Sequence, residues 1–559
     1  MATLLCVPLT VHEPGGALDE ARRAAEAGAD LVEFRVDGFY VPEGNAPELA
    51  DSLARMISRS PLPCIVTCRH VSEGGAFGGD DADRAVLIER LAAAAGRDQH
   101  PPRYLDVEFE RYAASEELRG VVRDSARRPD APGLVFSSHD FGGRPPDLAR
   151  RLGRMRADPA ASVLKIAYRA RSLRDNLELF DILLERDRPT IALAMGEFGL
   201  ASRVLAPKFG GFLTFASLSR ESVTAPGQPT IEELVGRYRF RSIGPGTRVY
   251  GVAGWPVAQS LSPVIHNAGF EAIGHDGVYL PMPIAADESA PDASYASFKA
   301  TVLAMMEHPR LDLSGLSVTI PHKQNLVRLA REQGWRLDPL SSLCGSANTL
   351  AISPSAEGPS ASRSAAVFNT DARAAVECLR GVGVVPKGLH VGLIGAGGVA
   401  GAIGFALALG GASLTIFNRS AEAARNLADR ISRETGATAN GRDAAELTGR
   451  GRAAPWNRES PISVWINGSP VGMKHGPNPD GSPISPELIR NFPAGTAVLD
   501  TVYNPSRTPL IEHASQAGLV TIDGTAMFVR QACEQFAAWT GTNPPAGLFE
   551  RLVTEALAT

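Results

Sequence analysis

Apolar, β-rich runs recur at roughly 30-residue intervals along the first part of the chain, a spacing that leaves room for one helix between strands. The runs are Leu4–Leu9, Leu31–Val36, Pro63–Cys68, Tyr104–Phe109, Gly133–Ser137, Val163–Ala167, Thr190–Ala194 and Gly211–Phe215. Segments with helical spacing lie between them, Ala17–Ala27, Asp83–Ala95 and Leu173–Glu185 among them. Eight strands alternating with helices predict a (β/α)₈ TIM barrel; a flavodoxin-like sheet has fewer strands. The pattern then breaks at Ser242–Gly251, where Gly244-Pro245-Gly246 stops any helix arriving over Glu232–Arg241 and Val249–Val252 starts a new strand. This stretch predicts a joint between two complete modules.

Beyond the joint, strand and helix alternate again through Val249–Val252, Pro263–Ile273, Val278–Met282, Ser297–Met306, Leu316–Ile320 and His322–Gln333. Two Ser/Ala/Pro-rich stretches, Asp287–Ser294 and Pro354–Arg363, read as surface insertions. A further strand, Gly388–Ile394, runs into Gly395-Ala396-Gly397-Gly398-Val399-Ala400 and an Ala-rich helix. The whole chain therefore reads as α/β, with a barrel over 1–241 followed by two α/β parts over 247–371 and 372–559.

At 559 residues the chain is too long for one core. It is 44% hydrophobic and 21% charged with net charge −5, and it has no long basic run, so neither nucleic acid nor an anionic membrane is an expected partner. No apolar stretch reaches the ~20 residues of a membrane helix. The first residues lead straight into a strand without a basic start or an Arg/Ser-rich leader, so the expected location is the cytoplasm. Oligomeric state stays open. Of the six cysteines only Cys64 and Cys68 are near neighbours, and an extended strand holds them roughly 13 Å apart, too far for a disulfide or a shared metal. Buried thiols are expected, and no metal-ligand cluster is visible.

Lysine is scarce: Lys165, Lys208, Lys299, Lys323, Lys387 and Lys474 are the only six among 56 basic residues. Arginine carries the surface charge here and cannot deprotonate, so each lysine is a candidate for work that needs an amine. Lys165 lies inside a barrel strand among apolar neighbours, where desolvation lowers a lysine's pKa and frees a nucleophile for a carbonyl. His139 ends the adjacent strand and can shuttle protons, with Glu108 placed to orient its imidazole. Glu33, Arg35 and Arg69 complete a polar set at the C-terminal ends of the strands, where barrel chemistry sits. Lysine with histidine points to Schiff-base chemistry on a keto acid, and the arginines point to a carboxylate.

These residues sit in Val32-Glu-Phe-Arg-Val-Asp37, Thr67-Cys-Arg69, Asp106-Val-Glu-Phe109, Ser137-Ser-His139, Leu164-Lys-Ile166, Ser202-Arg203 and Ala225-Pro-Gly-Gln228. In that order they resemble the type I 3-dehydroquinate dehydratases. The resemblance implies an imine between Lys165 and the C3 ketone of 3-dehydroquinate, with His139 removing a C2 proton and protonating the departing C1 hydroxyl. It implies further that Arg203 clamps the carboxylate, that Gln228 helps close a lid, and that Glu33, Arg35 and Arg69 hold hydroxyls. Met195 falls at a site-lining position, and Thr224 stands where a small hydroxyl residue is expected.

In the second half, Gly395–Ala400 is G-x-G-x-x-A between a strand and a helix, the context for a pyrophosphate on a helix N-terminus. The next strand, Ser413–Phe417, ends in Asn418-Arg419-Ser420 rather than in an acid, which favours NADP over NAD. Other motifs are Tyr250–Pro256 with Ser260-Leu-Ser-Pro263, Val318–Lys323, Ala347-Asn-Thr349, Asn369-Thr-Asp371, Asn467–Gly472, Tyr503-Asn-Pro505 and Gly524–Gln531. Together they resemble shikimate dehydrogenase, which implies a substrate-binding part, a Rossmann NADP-binding part and C-terminal helices returning to the former. It also implies a proton-handling Lys323–Asp371 pair and a carboxylate held by Ser260 and Ser262. Thr319, Asn348, Tyr503 and Gln531 would contact ring hydroxyls or carboxylate, and Gly524 the cofactor. Ser317, Ala372 and Gly468-Ser469 depart from the residues usual at those places. The two reactions are consecutive, so the sequence reads as a bifunctional enzyme of aromatic amino-acid biosynthesis acting on 3-dehydroquinate, 3-dehydroshikimate and shikimate. Rival readings are a quinate-acting second half, or one half serving as a non-catalytic module.

Overall fold

A computed structural model describes residues 2–93, 101–128, 130–222, 225, 227–287, 289–353, 364–448, 461–474 and 476–558. The chain divides into two compact units. The first takes 1–247 with 280–284 and 307–312, and the second takes the remainder.

The first half is an eight-stranded parallel sheet: β1 (Leu4–Thr10), β2 (Leu31–Arg35), β3 (Cys64–Thr67), β4 (Tyr104–Glu108), β5 (Gly133–Asp140), β6 (Val163–Arg169), β7 (Thr190–Met195) and β8 (Leu213–Phe215). Each strand pairs with its sequence neighbour from β1 to β7, and β1 also pairs with β8, which curls the sheet into a near-closed barrel. All eight expected strands are present. β5 and β6 run past their expected ends to Asp140 and Arg169, because polar residues continue a ladder as long as both partners supply backbone groups. Inward-facing Cys6, Ile65, Val135, Val163, Ile191 and Leu213 fill the barrel floor and leave the C-terminal ends to polar side chains. The helix expected over Glu232–Arg241 is shorter and irregular, a wide π-type turn Glu233–Arg237 and a single 3₁₀ turn Phe240–Ser242. Lys208 reaches the joint: its buried Nζ donates to the carbonyls of Pro245 at 3.0 Å and Thr247 at 2.8 Å.

Past the joint, β9 (Arg248–Gly254), β10 (Gly277–Pro283), β11 (Leu313–Val318), β12 (Arg336–Leu337), β13 (Thr349–Ile352) and β14 (Ala365–Phe368) form a mixed sheet, ordered β10-β9-β11-β13-β14-β12. The expected insertion over Asp287–Ser294 turns out to contain a helix start. Helix Pro291–Glu307 begins inside it, and the Ser294 hydroxyl is tied to Asp287. The other, Pro354–Arg363, lies outside the described residues. The third sheet is wholly parallel: β15 (His390–Ile394), β16 (Ser413–Asn418), β17 (Ala439–Asp443), β18 (Val464–Asn467), β19 (Ala497–Asp500) and β20 (Val520–Ile522). Its order, β17-β16-β15-β18-β19-β20, is that of the doubly wound Rossmann fold, which opens a crevice where the order reverses beside β15. Helix Thr370–Gly381 spans the boundary drawn after Asp371. Helices Gly524–Thr540 and Leu548–Ala558 return to pack on Tyr250, Phe270 and Tyr279 of the mixed sheet's layer. Among the described residues, no helix is long and apolar enough to cross a membrane.

Candidate active sites

Register places the barrel's charged groups. Glu108 stands opposite Ser137, and Ser137 opposite Lys165, across β4, β5 and β6. Lys165 is 5% exposed, and its Nζ donates to Asp106 Oδ2 at 3.1 Å and Glu33 Oε1 at 3.3 Å, 4.5 Å from the centre of the Phe215 ring. The apolar surroundings expected of Lys165 are thus corrected. Leu164 and Ile166 point to the opposite face of the strand, while neighbouring strands bring two carboxylates to the amine. Asp106 also accepts from Arg69 Nη2 at 2.9 Å and Ser137 Oγ at 2.6 Å. Burial would raise its carboxyl, but Arg69 and Lys165 hold it well below the usual range.

The imidazole's partner is a second correction. His139 Nδ1 lies 3.0 Å from Glu73 Oε2, which also accepts the His139 backbone N–H at 2.9 Å. Glu108, expected in that role, instead accepts from Arg84 and from the His70 N–H at 2.8 Å. Glu73 comes from the turn Val71–Glu73 after β3, which folds over the barrel mouth. Only its i, i+4 spacing from Arg69 marks it in the sequence, and the two charged groups lie 3.8 Å apart. Burial pushes the Glu73 carboxyl up to about 7, while burial, Arg69 and Lys165 push His139 well below its ordinary value.

The rest of the predicted set gathers around these. Glu33 accepts from Thr67 Oγ1 at 2.7 Å, and Arg35 forks onto Asp37 at 2.9 and 3.0 Å. Arg69, expected on hydroxyls, is 3% exposed and engaged by Asp106, Ser137, Glu108 and Glu73. Arg203, in the helix Leu200–Val204 after β7, is 1% exposed with Nε and Nη2 making no hydrogen bond among the described residues; burial lowers it to about 10. A buried guanidinium in that state is a receptor for an anion. Met195 is buried at the end of β7 and Gln228 at the close of the loop after β8; Thr224 lies outside the described residues.

In the second unit, a cavity of about 360 Å³ is lined by Ser260, Ser262, Thr319, Lys323, Asn348, Asp371, Tyr503 and Gln531, every substrate residue expected there. Lys323 begins helix Lys323–Gln333, and Asp371 lies in the first turn of helix Thr370–Gly381, capped by Asn369. A helix N-terminus favours the carboxylate and opposes the ammonium, so Asp371 offsets the cost of placing Lys323 there, Lys323 Nζ meeting Asp371 Oδ2 at 2.6 Å. Asn348 lines the cavity and fixes the helix start, exchanging hydrogen bonds with the Thr370 hydroxyl and N–H at 2.9 Å each. Tyr503 stacks on Phe528 at 4.4 Å.

The glycine turn is shaped for a close ligand. Gly395 has φ +106°, and a Cβ there would lie 2.9 Å from Gly468 O. Gly397 caps helix Gly398–Leu409, and a Cβ on it would meet nothing within 4 Å; the first N–H groups of such a helix have no intrahelical partner and suit an anion. Ala400 is buried against Gly468, where any side chain on Gly468 would approach Ala400 Cβ to 2.9 Å. Asn418 Nδ2 bonds Ser420 O, Ser420 Oγ caps the next helix, and exposed Arg419 has no partner among the described residues. Gly524 supports the site indirectly, through the close approach of its helix to Val502–Tyr503.

Family models match residues 5–245 as type I 3-dehydroquinase, 252–350 as shikimate dehydrogenase substrate binding domain and 524–554 as shikimate 5'-dehydrogenase C-terminal domain. A chloroplastic bifunctional 3-dehydroquinate dehydratase/shikimate dehydrogenase of Arabidopsis thaliana is 33% identical, covering 99% of this chain and 84% of its own. The chain belongs to this bifunctional family. A shikimate dehydrogenase (NADP(+)) of Methanocella arvoryzae is 33% identical over 55% of this chain and 99% of its own. A Thermus thermophilus shikimate 5-dehydrogenase solved with NADP(H) and shikimate is 26% identical, covering 56% of this chain and all of that one, with TM-score 0.42.

The departures from the dehydrogenase pattern have local explanations. Ser317 Oγ accepts from Tyr279 and donates to Gln535 Oε1, both at 2.7 Å, so a hydroxyl relays the contact there. Ala372 is helical and buried, with its N–H on Asn369 Oδ1, and needs no glycine. Ser469 bonds back to Asn467 Oδ1 through both N–H and hydroxyl. All six cysteines are free, and five are buried.

Proposed function

We propose that residues 1–241 convert 3-dehydroquinate to 3-dehydroshikimate and that residues 247–371 and 372–559 together reduce this product to shikimate with NADPH. The observation carrying the reading is the pair of lysine sites in one chain: Lys165 between Asp106 and Glu33, and Lys323 on Asp371, in a chain with six lysines.

In the barrel, Lys165 attacks the C3 ketone as its free amine, and with a proton taken up from solvent the carbonyl oxygen leaves as water. The resulting iminium draws electrons from C2, acidifying the proton that neutral His139 removes. Glu73, bonded to Nδ1, stabilises the imidazolium until it protonates the C1 hydroxyl, which leaves as water. Water then returns to the imine and releases Lys165. Arg203 holds the carboxylate bidentately.

In the second site NADPH supplies a hydride when bound. Residues Gly395–Ala400 would receive its pyrophosphate, and Asn418, Arg419 and Ser420 its 2′-phosphate. Lys323 donates to the C3 oxygen as its negative charge develops and is reprotonated through Asp371. Ser260 and Ser262 orient the carboxylate, while Thr319, Asn348, Tyr503 and Gln531 orient the ring.

A single incubation with 3-dehydroquinate and NADPH, followed by chromatography and mass analysis, tests both halves. Shikimate with NADPH loss is expected. 3-Dehydroshikimate with NADPH untouched would refute the second half, and quinate would replace its product assignment.

A further inference from the structure

Lys474 is the lysine that neither mechanism uses and that still reaches a site. Lys208 holds the joint and Lys299 pairs with Glu332 at 2.7 Å, but Lys474 lies on the wall of the second unit's cavity. Its backbone N–H donates to Asn504 O at 2.9 Å, which fixes the root of the side chain beside Tyr503. The side chain is exposed and has no ion pair among the described residues.

The charges of this cavity are few. Among its described lining side chains, Lys323 and Asp371 are bonded to one another, and Lys474 is the third charged group. The internal pair leaves no net charge, and the two serines assigned to the carboxylate are neutral. An anionic substrate entering this cavity therefore meets one uncompensated charge. Burial also keeps the nearby Tyr503 phenol protonated, so it adds no opposing charge.

We propose that Lys474 is a substrate-specificity residue that draws the substrate carboxylate into the dehydrogenase cavity and favours anionic over neutral ring substrates. This rests on the assignment of the cavity to 3-dehydroshikimate and shikimate. The cofactor's phosphates are the competing anions. The residues assigned to its 2′-phosphate are not on the cavity wall, and of the glycine turn only Val399 is, which favours the carboxylate.

The test is steady-state oxidation of shikimate by the full chain with NADP⁺, comparing wild type with Lys474→Gln and Lys474→Arg. Lys474→Gln is expected to raise the KM for shikimate about three- to tenfold, the effect of one partly screened charge. It should leave kcat and the KM for NADP⁺ within about twofold and flatten the salt dependence of kcat/KM. Lys474→Arg should restore wild-type behaviour. The KM for the uncharged methyl ester of shikimate should not respond to either substitution. Dehydration of 3-dehydroquinate by the same preparations reports the barrel's integrity.

An unchanged shikimate KM in Lys474→Gln overturns the proposal. So does an equal rise for the ester, or a rise confined to NADP⁺, which would assign the charge to the cofactor. Wild-type protein that dehydrates 3-dehydroquinate but does not oxidise shikimate would sink the underlying cavity assignment, an outcome distinct from failure at Lys474 alone.

Discussion

Glu73 shows how much one side chain decides at the scale of the residue. A carboxyl raised to about 7 is protonated below that pH and cannot stabilise an imidazolium on His139. Dehydration by the wild type should therefore rise as pH climbs through about 7. Glu73→Gln should lose this dependence and lower kcat by about ten- to a hundredfold, as read from a pH–rate profile. Stability runs the other way. Between the ordinary value of 4.5 and about 7 the folded chain holds a proton that the unfolded chain releases, so Glu73 makes the fold less stable as pH rises through about 7. Thermal unfolding at pH 8 should find Glu73→Gln at least as stable as wild type. The sequence offered Glu108 because it ends a strand near His139. The turn that brings Glu73 over the barrel mouth left no mark in hydrophobic periodicity.

Among the elements, the strand–turn–helix from β15 to Gly398–Leu409 was the most legible, because its constraints are local. Gly395 must take positive φ, and Gly468 must leave room for Ala400. Gly395→Ala should cost about 1–3 kcal/mol of local strain and bring a methyl 2.9 Å from Gly468 O. The expected result is a KM for NADPH raised at least about tenfold, with 3-dehydroquinate turnover unchanged. Equal NADPH kinetics in the variant would show that the turn does not set cofactor affinity. Helix ends were harder to read. The Pro291–Glu307 helix starts within a stretch that reads as loop by composition; it opens on Pro291 with Asp292 in its first turn, and Ser294 ties that turn to Asp287.

For the whole molecule, the two chemistries are separable if each site is complete by itself. Lys165→Met should abolish dehydration and leave shikimate oxidation intact, while Lys323→Met should do the reverse. Neither variant alone should make shikimate from 3-dehydroquinate with NADPH, and an equimolar mixture should, by way of free 3-dehydroshikimate. A mixture that accumulates 3-dehydroshikimate without NADPH loss would show that the second reaction requires an active barrel in the same chain. Lys208 belongs to this scale as well. Its buried ammonium satisfies two carbonyls at the joint, a role that no strand or helix pattern encodes.

By itself the sequence determined the eight barrel strands, the joint after Ser242, the glycine turn and the lysines proposed to carry chemistry. Each of these is written in spacing within a few residues or in residue type. Only the tertiary structure decided that Asp106 and Glu33 hold Lys165, that Glu73 rather than Glu108 orients His139, that Arg203 is buried without a partner among the described residues, and that Lys474 stands on the cavity wall. The physical reason is reach. Period-2 alternation fixes which face of a strand a side chain takes, but the partner it meets comes from another strand or a returning loop, set by register and closure rather than by neighbours in the chain.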